Sequence, residues 1–286
     1  MIFYALFNSL PKTDKICIFE NVIKTFMEQK KTLEQLNIIE QKLLEYLKKN
    51  KFTSFNLKSV IFDMDGVLYD SMPAHDKSWR ETIEEFNLEH IPYEFYLQEG
   101  RLGRSTINEI FQRNLKRDST EEEEQSIYAR KSELFQIYNS GNTLPGAGET
   151  LRQVKDMGLT PVLVTGSGQP TLLDRLDDHF PDIFIRETMV TAFDVENGKP
   201  NPEPFILGLK KGGNLLPNQA IVIENAPLGV TAAVDAGIFT IAVNTGPLPD
   251  KYLTDSGASL VLHSMTELHQ QLPYILQKIE EIKIDQ

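Results

Sequence analysis

From Ser59 onward the chain alternates short apolar runs with stretches of helical period. The runs are SVIF ahead of Asp63, Thr160–Gly166 (TPVLVTG), Met189–Asp194 (MVTAFD), Ala220–Asn225 (AIVIEN), Thr240–Thr245 (TIAVNT) and Ser259–Ser264 (SLVLHS). Unbroken apolar runs of this length suit strands covered by helices on both faces, the environment of a parallel sheet. Helical segments are predicted between them near 147–157, 169–179, 202–212 and 226–236. Such alternation predicts an α/β fold with a Rossmann-like open parallel sheet.

One interval breaks the rhythm. More than ninety residues separate Gly66 from Thr160 without a convincing strand. They hold helical stretches near 73–87, 104–116 and 120–138, the last opening at Ser119 or Thr120 before the acidic run Glu121–Glu124. Acids in a first turn complement the helix dipole, which accounts for that run. A crossover needs only about a dozen residues, so the excess predicts an inserted helical domain over 75–141, between the first apolar run and the return to the sheet. The core then comprises 57–74 and 142–286. Residues 1–56 differ again. Leu33, Leu36, Ile39, Leu43 and Leu47 recur at three- to four-residue spacing among Glu, Gln and Lys, predicting an amphipathic helix over Thr32–Asn50 within a helical N-terminal extension.

Composition narrows the class. A net charge of −12 argues against nucleic-acid or anionic-membrane partners. The single cysteine, Cys17, permits no internal disulfide. No apolar run approaches the roughly 18 residues of a transmembrane helix, and the N-terminus lacks a basic n-region and a small-residue cleavage site, so a cytoplasmic location is expected. The sequence names no protein partner.

Polar residues gather where the predicted strands end, the place at which open α/β sheets bind ligands. The first run ends in Asp63-Met64-Asp65-Gly66, a pair of acids able to bind a hard cation and to divide nucleophile and acid/base roles. The second ends in Thr165-Gly166-Ser167-Gly168, which offers hydroxyl and amide donors to a phosphate. Lys199 stands in the proline-flanked loop Gly198–Pro202, a compact cation for a phosphoryl group. The fourth run ends in Glu224-Asn225, two more oxygen ligands. Alone, the acid pair reads equally as an acidic turn, many turns like that at Thr165 bind nothing, and a lysine such as Lys199 is more often a surface residue; their order at successive strand ends is the informative feature.

The segment Phe62–Ser71 (FDMDGVLYDS) resembles the first motif of the haloacid dehalogenase (HAD) superfamily, and Thr165, Lys199 and Glu224-Asn225 resemble its second, third and fourth motifs in order and spacing. The resemblance covers about residues 57–270. A helical insert directly after the first motif is similar to the β-phosphoglucomutase-like branch, which implies that it is a cap domain. The wording of Glu99–Arg101, Val164–Gly168, Val190–Pro204 and Val222–Val230 resembles HAD-type inorganic pyrophosphatases within it. The resemblance implies that Asp63 attacks phosphorus, Asp65 serves as acid and then base, and Thr165 and Lys199 hold the phosphoryl oxygens. It implies Mg²⁺ on Asp63, the Asp65 carbonyl, Glu224 and Asn225, where the family often has aspartate in place of Asn225. Gly166, Ser167, His75, Glu99, Arg101 and Arg104 are the expected substrate-side residues. His75 stands where mutase members carry a histidine linked to their acid/base, or else bonds the backbone at a hinge. Glu99 either pairs with Arg101 or Arg104, or reaches a substrate-bound Mg²⁺ and restores the charge missing at Asn225, which would favour pyrophosphate. Trp79 is expected to pack the cap. His90, His179, His263 and His269 have no metal-like spacing. The leading expectation is a Mg²⁺-dependent phosphohydrolase acting on pyrophosphate or another small phosphorylated substrate. The alternatives are a β-phosphoglucomutase-like phosphotransferase and, in another class, a binding protein with a spent site.

Overall fold

The computed structural model describes residues 36–168 and 170–284, and the side chains of all of these but 170–174. The expected helix at Thr32 is seen as α1 (36–50), and the residues before 36 lie outside the described ones. Compactness divides the chain into Met1–Lys42 and Leu43–Gln286, and the sheet, the cap and the cavity all belong to the second unit. The end of the predicted extension belongs to it as well. Tyr46 is buried and stacks on Phe55 at 5.0 Å, meets Phe239 edge-on at 5.5 Å and donates to the Gly237 carbonyl at 2.9 Å. Residues from Leu43 onward are therefore part of the core packing rather than an appendage to it.

Six strands form one parallel sheet: β1 (Ser59–Phe62), β2 (Thr160–Val164), β3 (Met189–Val190), β4 (Ala220–Glu224), β5 (Phe239–Val243) and β6 (Leu260–Leu262), in the order β3-β2-β1-β4-β5-β6. The strand order reverses beside β1, which pairs with β2 on one side and β4 on the other. Phe62 sits level with Leu163 and with Ile223, so Asp63, the Val164–Thr165 step and Glu224 emerge along one edge. That edge, at the reversal, is where this topology opens a crevice. The run at 189–194 yields only a two-residue strand. Asp194 accepts from both the Thr191 amide and the Thr191 hydroxyl, each at 2.8 Å, and this turn ends the pairing.

The helices α6 (Ala147–Asp156), α7 (Pro170–His179), α8 (Glu203–Lys211), α9 (Pro227–Asp235), α10 (Asp250–Asp255) and α11 (Met265–Glu281) alternate with the strands. Ile61, Val162, Val164, Val190 and Val222 pack against Phe205, Leu209, Ala232 and Ala233 in one buried cluster. Between β1 and α6 lie α2 (Met72–Glu85), α3 (Glu94–Leu97), α4 (Gly103–Leu115) and α5 (Glu121–Tyr138). They share their own apolar cluster, including Trp79, Ile83, Phe95, Ile107, Phe111 and Ile127. Trp79 stacks on Phe95 at 5.6 Å with an 8° interplanar angle. Thr120, not Ser119, caps α5: its hydroxyl accepts from the Glu123 amide while the Glu123 carboxylate accepts from the Thr120 amide, a reciprocal capping box. Helix α2 starts at Met72, so the expected division at residue 75 falls inside its first turn, and His75 rides on a helix rooted in the core. Among the described residues, no helix is long and apolar enough to cross a membrane.

Candidate active site

The loop that follows β1 is a tight turn. The Asp63 amide donates to the Ile223 carbonyl at 3.0 Å, which fastens the loop to β4, and the amides of Leu68 and Tyr69 both donate to the Met64 carbonyl. The turn needs a left-handed residue, and Gly66 has φ +78°. A Cβ there would also lie 2.1 Å from Asn225 Nδ2, so strain and contact both exclude a side chain.

Asp63 and Asp65 leave this turn in different company. Lys199, only 1% exposed, places its Nζ 2.5 Å from Asp63 Oδ1 and 2.6 Å from Glu224 Oε1. The other oxygen of Glu224 accepts from the amides of Asn225 and Ala226 at 2.6 and 2.7 Å. Burial pushes the Asp63 carboxyl up, Glu224 and Asp65 push it further, and Lys199 only partly compensates, leaving it at about 8. Burial works against the charge on Lys199, but Asp63 and Glu224 outweigh it and raise its pKa. Asp65 accepts from the Ser71 hydroxyl at 2.6 Å and lies 3.3 Å from His75 Nε2. Burial opposes the ionised form of Asp65, yet His75, Ser71 and Lys131 together hold its pKa below the usual carboxylate value.

Lys131 is the residue the sequence reading missed. It comes from α5, is 2% exposed, and sets its Nζ 2.7 Å from His75 Nδ1. The imidazole thus bridges a cap lysine to a core aspartate, so the side chain of His75 faces Asp65 rather than a backbone group. Burial lowers the Lys131 ammonium to about 7, with Asp65 countering only part of that. Burial, followed by the Lys131 charge, also lowers His75, against the pull of Asp65. In sequence Lys131 follows Arg130 and precedes Glu133, which reads as a solvated face. The structure separates them: Arg130 pairs outward with Glu85 and Glu133, while Lys131 turns in.

The remaining expected residues divide. Thr165 is buried, and its hydroxyl accepts from the Ser167 amide at 2.9 Å. Asp63, Asp65, His75, Thr165, Gly166, Ser167, Glu99 and Arg101 all line one cavity, together with Lys131 and Gln98. Arg104 is not among its lining residues; its guanidinium donates instead to the Glu196 carbonyl at 3.2 Å. The expected pairing of Glu99 with Arg101 or Arg104 is not what forms. Arg101 pairs with Glu109, and both Glu99 oxygens accept from Asn225 Nδ2, at 3.0 and 2.9 Å. Burial, with Asp63 and Glu224 adding to it, drives Glu99 well above the ordinary carboxyl pKa, and the Asn225 bond offsets only part. Gly100, at φ +82°, brings the cap loop against the core: a Cβ would meet Lys199 Cδ at 2.6 Å.

Among the described residues, no three His, Cys, Asp or Glu side chains converge at ion-binding spacing. Lys199 fills the space between Asp63 and Glu224. The donors that remain form a mixed set of carboxylate, amide and backbone oxygens, the hard ligands Mg²⁺ takes. Asn225 Oδ1 is buried and accepts from nothing among the described residues.

Residues 57–237 match the family model of haloacid dehalogenase-like hydrolases, and the chain belongs to that family. It is a phosphatase-type hydrolase. It is 29% identical over 212 residues to hexitol phosphatase A of Escherichia coli, covering 74% of this chain and 93% of the relative. It is 32% identical over 206 residues to the phosphorylated carbohydrates phosphatase of Thermotoga maritima, covering 71% and 92%. A solved structure from Bacteroides vulgatus, provisionally assigned as a beta-phosphoglucomutase, is 49% identical and superposes with a TM-score of 0.82, covering 85% of this chain and 99% of that one.

Proposed function

We propose that the protein is a Mg²⁺-dependent phosphohydrolase that works through an aspartyl-phosphate, with inorganic pyrophosphate as its preferred substrate. The observation that carries the substrate is Glu99, a half-buried carboxyl group in the cavity that the cap loop delivers to Asn225 and that no cation pairs among the described residues. Burial and the neighbouring Asp63 and Glu224 disfavour its charge, so the carboxylate form gains only from a substrate that brings a metal with it. Pyrophosphate chelates Mg²⁺ through oxygens on both phosphorus atoms.

Asp63 forms the new bond to phosphorus as the bond to the leaving oxygen breaks, and Lys199 and Thr165 hold the transferring oxygens. Asp65 gives the leaving oxygen its proton, then takes one from the water that opens the aspartyl-phosphate. Asp65 is ionised in the resting site. A phosphate dianion arriving beside it raises its pKa by like-charge repulsion and lets it carry the proton. Mg²⁺ would be held by Asp63, the Asp65 carbonyl and Asn225, with Glu224 adding charge, and would supply neutralisation of nucleophile and phosphate. We take residues 75–141 as the cap that excludes water, and the cytoplasm as the place of action.

The test is phosphate release from pyrophosphate and from hexose phosphates, with Mg²⁺ and with chelator. Glu99→Ala should lower kcat/KM for pyrophosphate by about 10²-fold, the order of one lost charge-stabilising group, and leave a hexose phosphate little changed. Glu99→Gln separates charge from size. Equal losses on both substrates would return Glu99 to a packing role and remove the pyrophosphate assignment. Full activity in chelator would remove Mg²⁺.

A second reading is a sugar-phosphate enzyme, a phosphatase or a β-phosphoglucomutase-like phosphotransferase. Its support is the His75 contact with Asp65 and Lys131, together with relatives named for carbohydrate phosphates. Isomerised hexose phosphate without free phosphate would establish it.

A further inference from the structure

Gln98 follows the last turn of α3, immediately before Glu99, and is buried. Its amide nitrogen lies 3.2 Å from Glu94 Oε1 and 3.2 Å from Glu109 Oε1. Turning the amide over would set its oxygen against two carboxylates, so its orientation is fixed. Both anchors are themselves held. Glu94, 1% exposed, pairs with Arg113 and accepts from the Ile91 amide at 3.0 Å. Glu109 divides its two oxygens between Gln98 and Arg101.

This leaves Gln98 Oε1 buried with no donor among the described residues. Gln98 lines the cavity that contains Asp63 and Asp65, whereas Glu94 and Glu109 do not. With the nitrogen turned to those two, the oxygen is the polar atom left for a ligand. Arg101 repeats the pattern in reverse: its Nε is buried and has no partner among the described residues, and the residue lines the same cavity. An acceptor and a donor therefore flank Glu99 without partners. Folded proteins rarely leave such groups unmet, because desolvation is then uncompensated.

We propose that Gln98 is a specificity-determining residue whose carboxamide oxygen accepts a hydrogen bond from the leaving group, with Glu94 and Glu109 as its positioning residues. The substrates it selects carry a donor on that side, either a hydroxyl of a polyol or sugar or a protonated oxygen of a leaving phosphate. The inference rests on this cavity being the phosphohydrolase site, but not on pyrophosphate as the substrate. A site built to pair with a donor discriminates against analogues that lack one.

The experiment compares kcat/KM for a donor-bearing substrate with kcat/KM for 4-nitrophenyl phosphate, whose leaving group offers no donor at neutral pH. The donor-bearing substrate is whichever of pyrophosphate and a hexose phosphate the wild-type enzyme turns over faster. If pyrophosphate is not hydrolysed, the pyrophosphate assignment falls while the comparison still runs. Gln98→Met keeps the size and removes the amide, and it should lower the ratio of the two constants by about tenfold, the order of one neutral hydrogen bond. A ratio within twofold of wild type overturns the proposal, because both substrates then lose alike and Gln98 only packs. If Gln98→Met fails to fold, Glu109→Gln decides. It removes one of the two carboxylates that hold the amide nitrogen and so weakens the fixed orientation, and the ratio must fall in the same direction; an unchanged ratio overturns the proposal.

Discussion

The two walls of the cavity are built by different means. On the core wall, Asp63 and Thr165 stand at the ends of paired strands whose register is set by the sheet, and Lys199, itself outside the cavity lining, ties Asp63 to the strand-end Glu224 at 2.5 and 2.6 Å. On the cap wall, Gln98, Glu99 and Arg101 sit on a short loop, and Lys131 stands in the middle of a helix, each oriented by side-chain pairs within the cap or by a contact across the cavity. A strand-end residue is positioned by backbone hydrogen bonds that no single side chain can undo. A cap residue is positioned by one or two partners and is correspondingly easy to displace. In the function proposed above, the core wall holds the reacting groups and the cap wall chooses what reaches them.

The widest separation between the walls should appear with Asp63→Asn. An amide in place of the nucleophile cannot form the aspartyl-phosphate, so turnover should fall by about 10⁴-fold or more on every substrate, the order seen when a nucleophile is removed. Circular dichroism and melting should show a folded protein, because Asp63 stands at the strand end and not in the apolar cluster. Steady-state phosphate release checks it. Turnover within tenfold of wild type would move the nucleophile elsewhere and erase the difference between the walls.

Asp65→Asn should come next, with a loss of about 10²–10⁴-fold, the usual worth of a general acid–base group. It should also depend on the leaving group. A good leaving group needs little protonation, so the rate of phosphoenzyme formation from 4-nitrophenyl phosphate should suffer less than that from an alkyl phosphate. A rapid-mixing measurement of that step decides it: equal losses would deny Asp65 the acid role and leave it a structural acid held by Ser71 and His75.

The same contrast explains what could be read without a structure. The parallel sheet was legible because its strands are covered on both faces and so appear as unbroken apolar runs, and the core motifs were legible because each closes a run. Strand β3 was overread because nothing in MVTAFD announces that Asp194 folds back on Thr191. Glu99 was recognisable as a carboxylate near the site, but its partner was not. The two arginines close to it in sequence lost to an asparagine 126 residues away. Lys131 was invisible for a plain reason. Neighbouring Arg130 and Glu133 make the segment look solvated, and only the packing of α5 on α2 shows which charge is turned inward.

The smallest effect, and the most specific to the cap wall, concerns Lys131 and stability. Burial puts its ammonium at about 7, below the ordinary 10.5 that the unfolded chain retains. Between these values the unfolded state binds more protons than the folded state, so this group makes stability rise with pH from about 7 upward; below about 7 both states are protonated and the burial cost is felt in full. Lys131→Met keeps most of the side-chain volume and removes the titration. The variant should therefore melt higher than wild type at pH 6, by a few degrees, and the gap should shrink steadily toward pH 9 as the wild-type lysine loses its charge. The change should be read as a difference between the two proteins at each pH, because Asp63, raised to about 8, titrates in both and works in the opposite direction. A gap that is constant from pH 6 to 9, or that widens, would show that Lys131 is charged throughout, and the Lys131–His75–Asp65 contact would then be a permanent ion bridge rather than a protonation-dependent tie between cap and core.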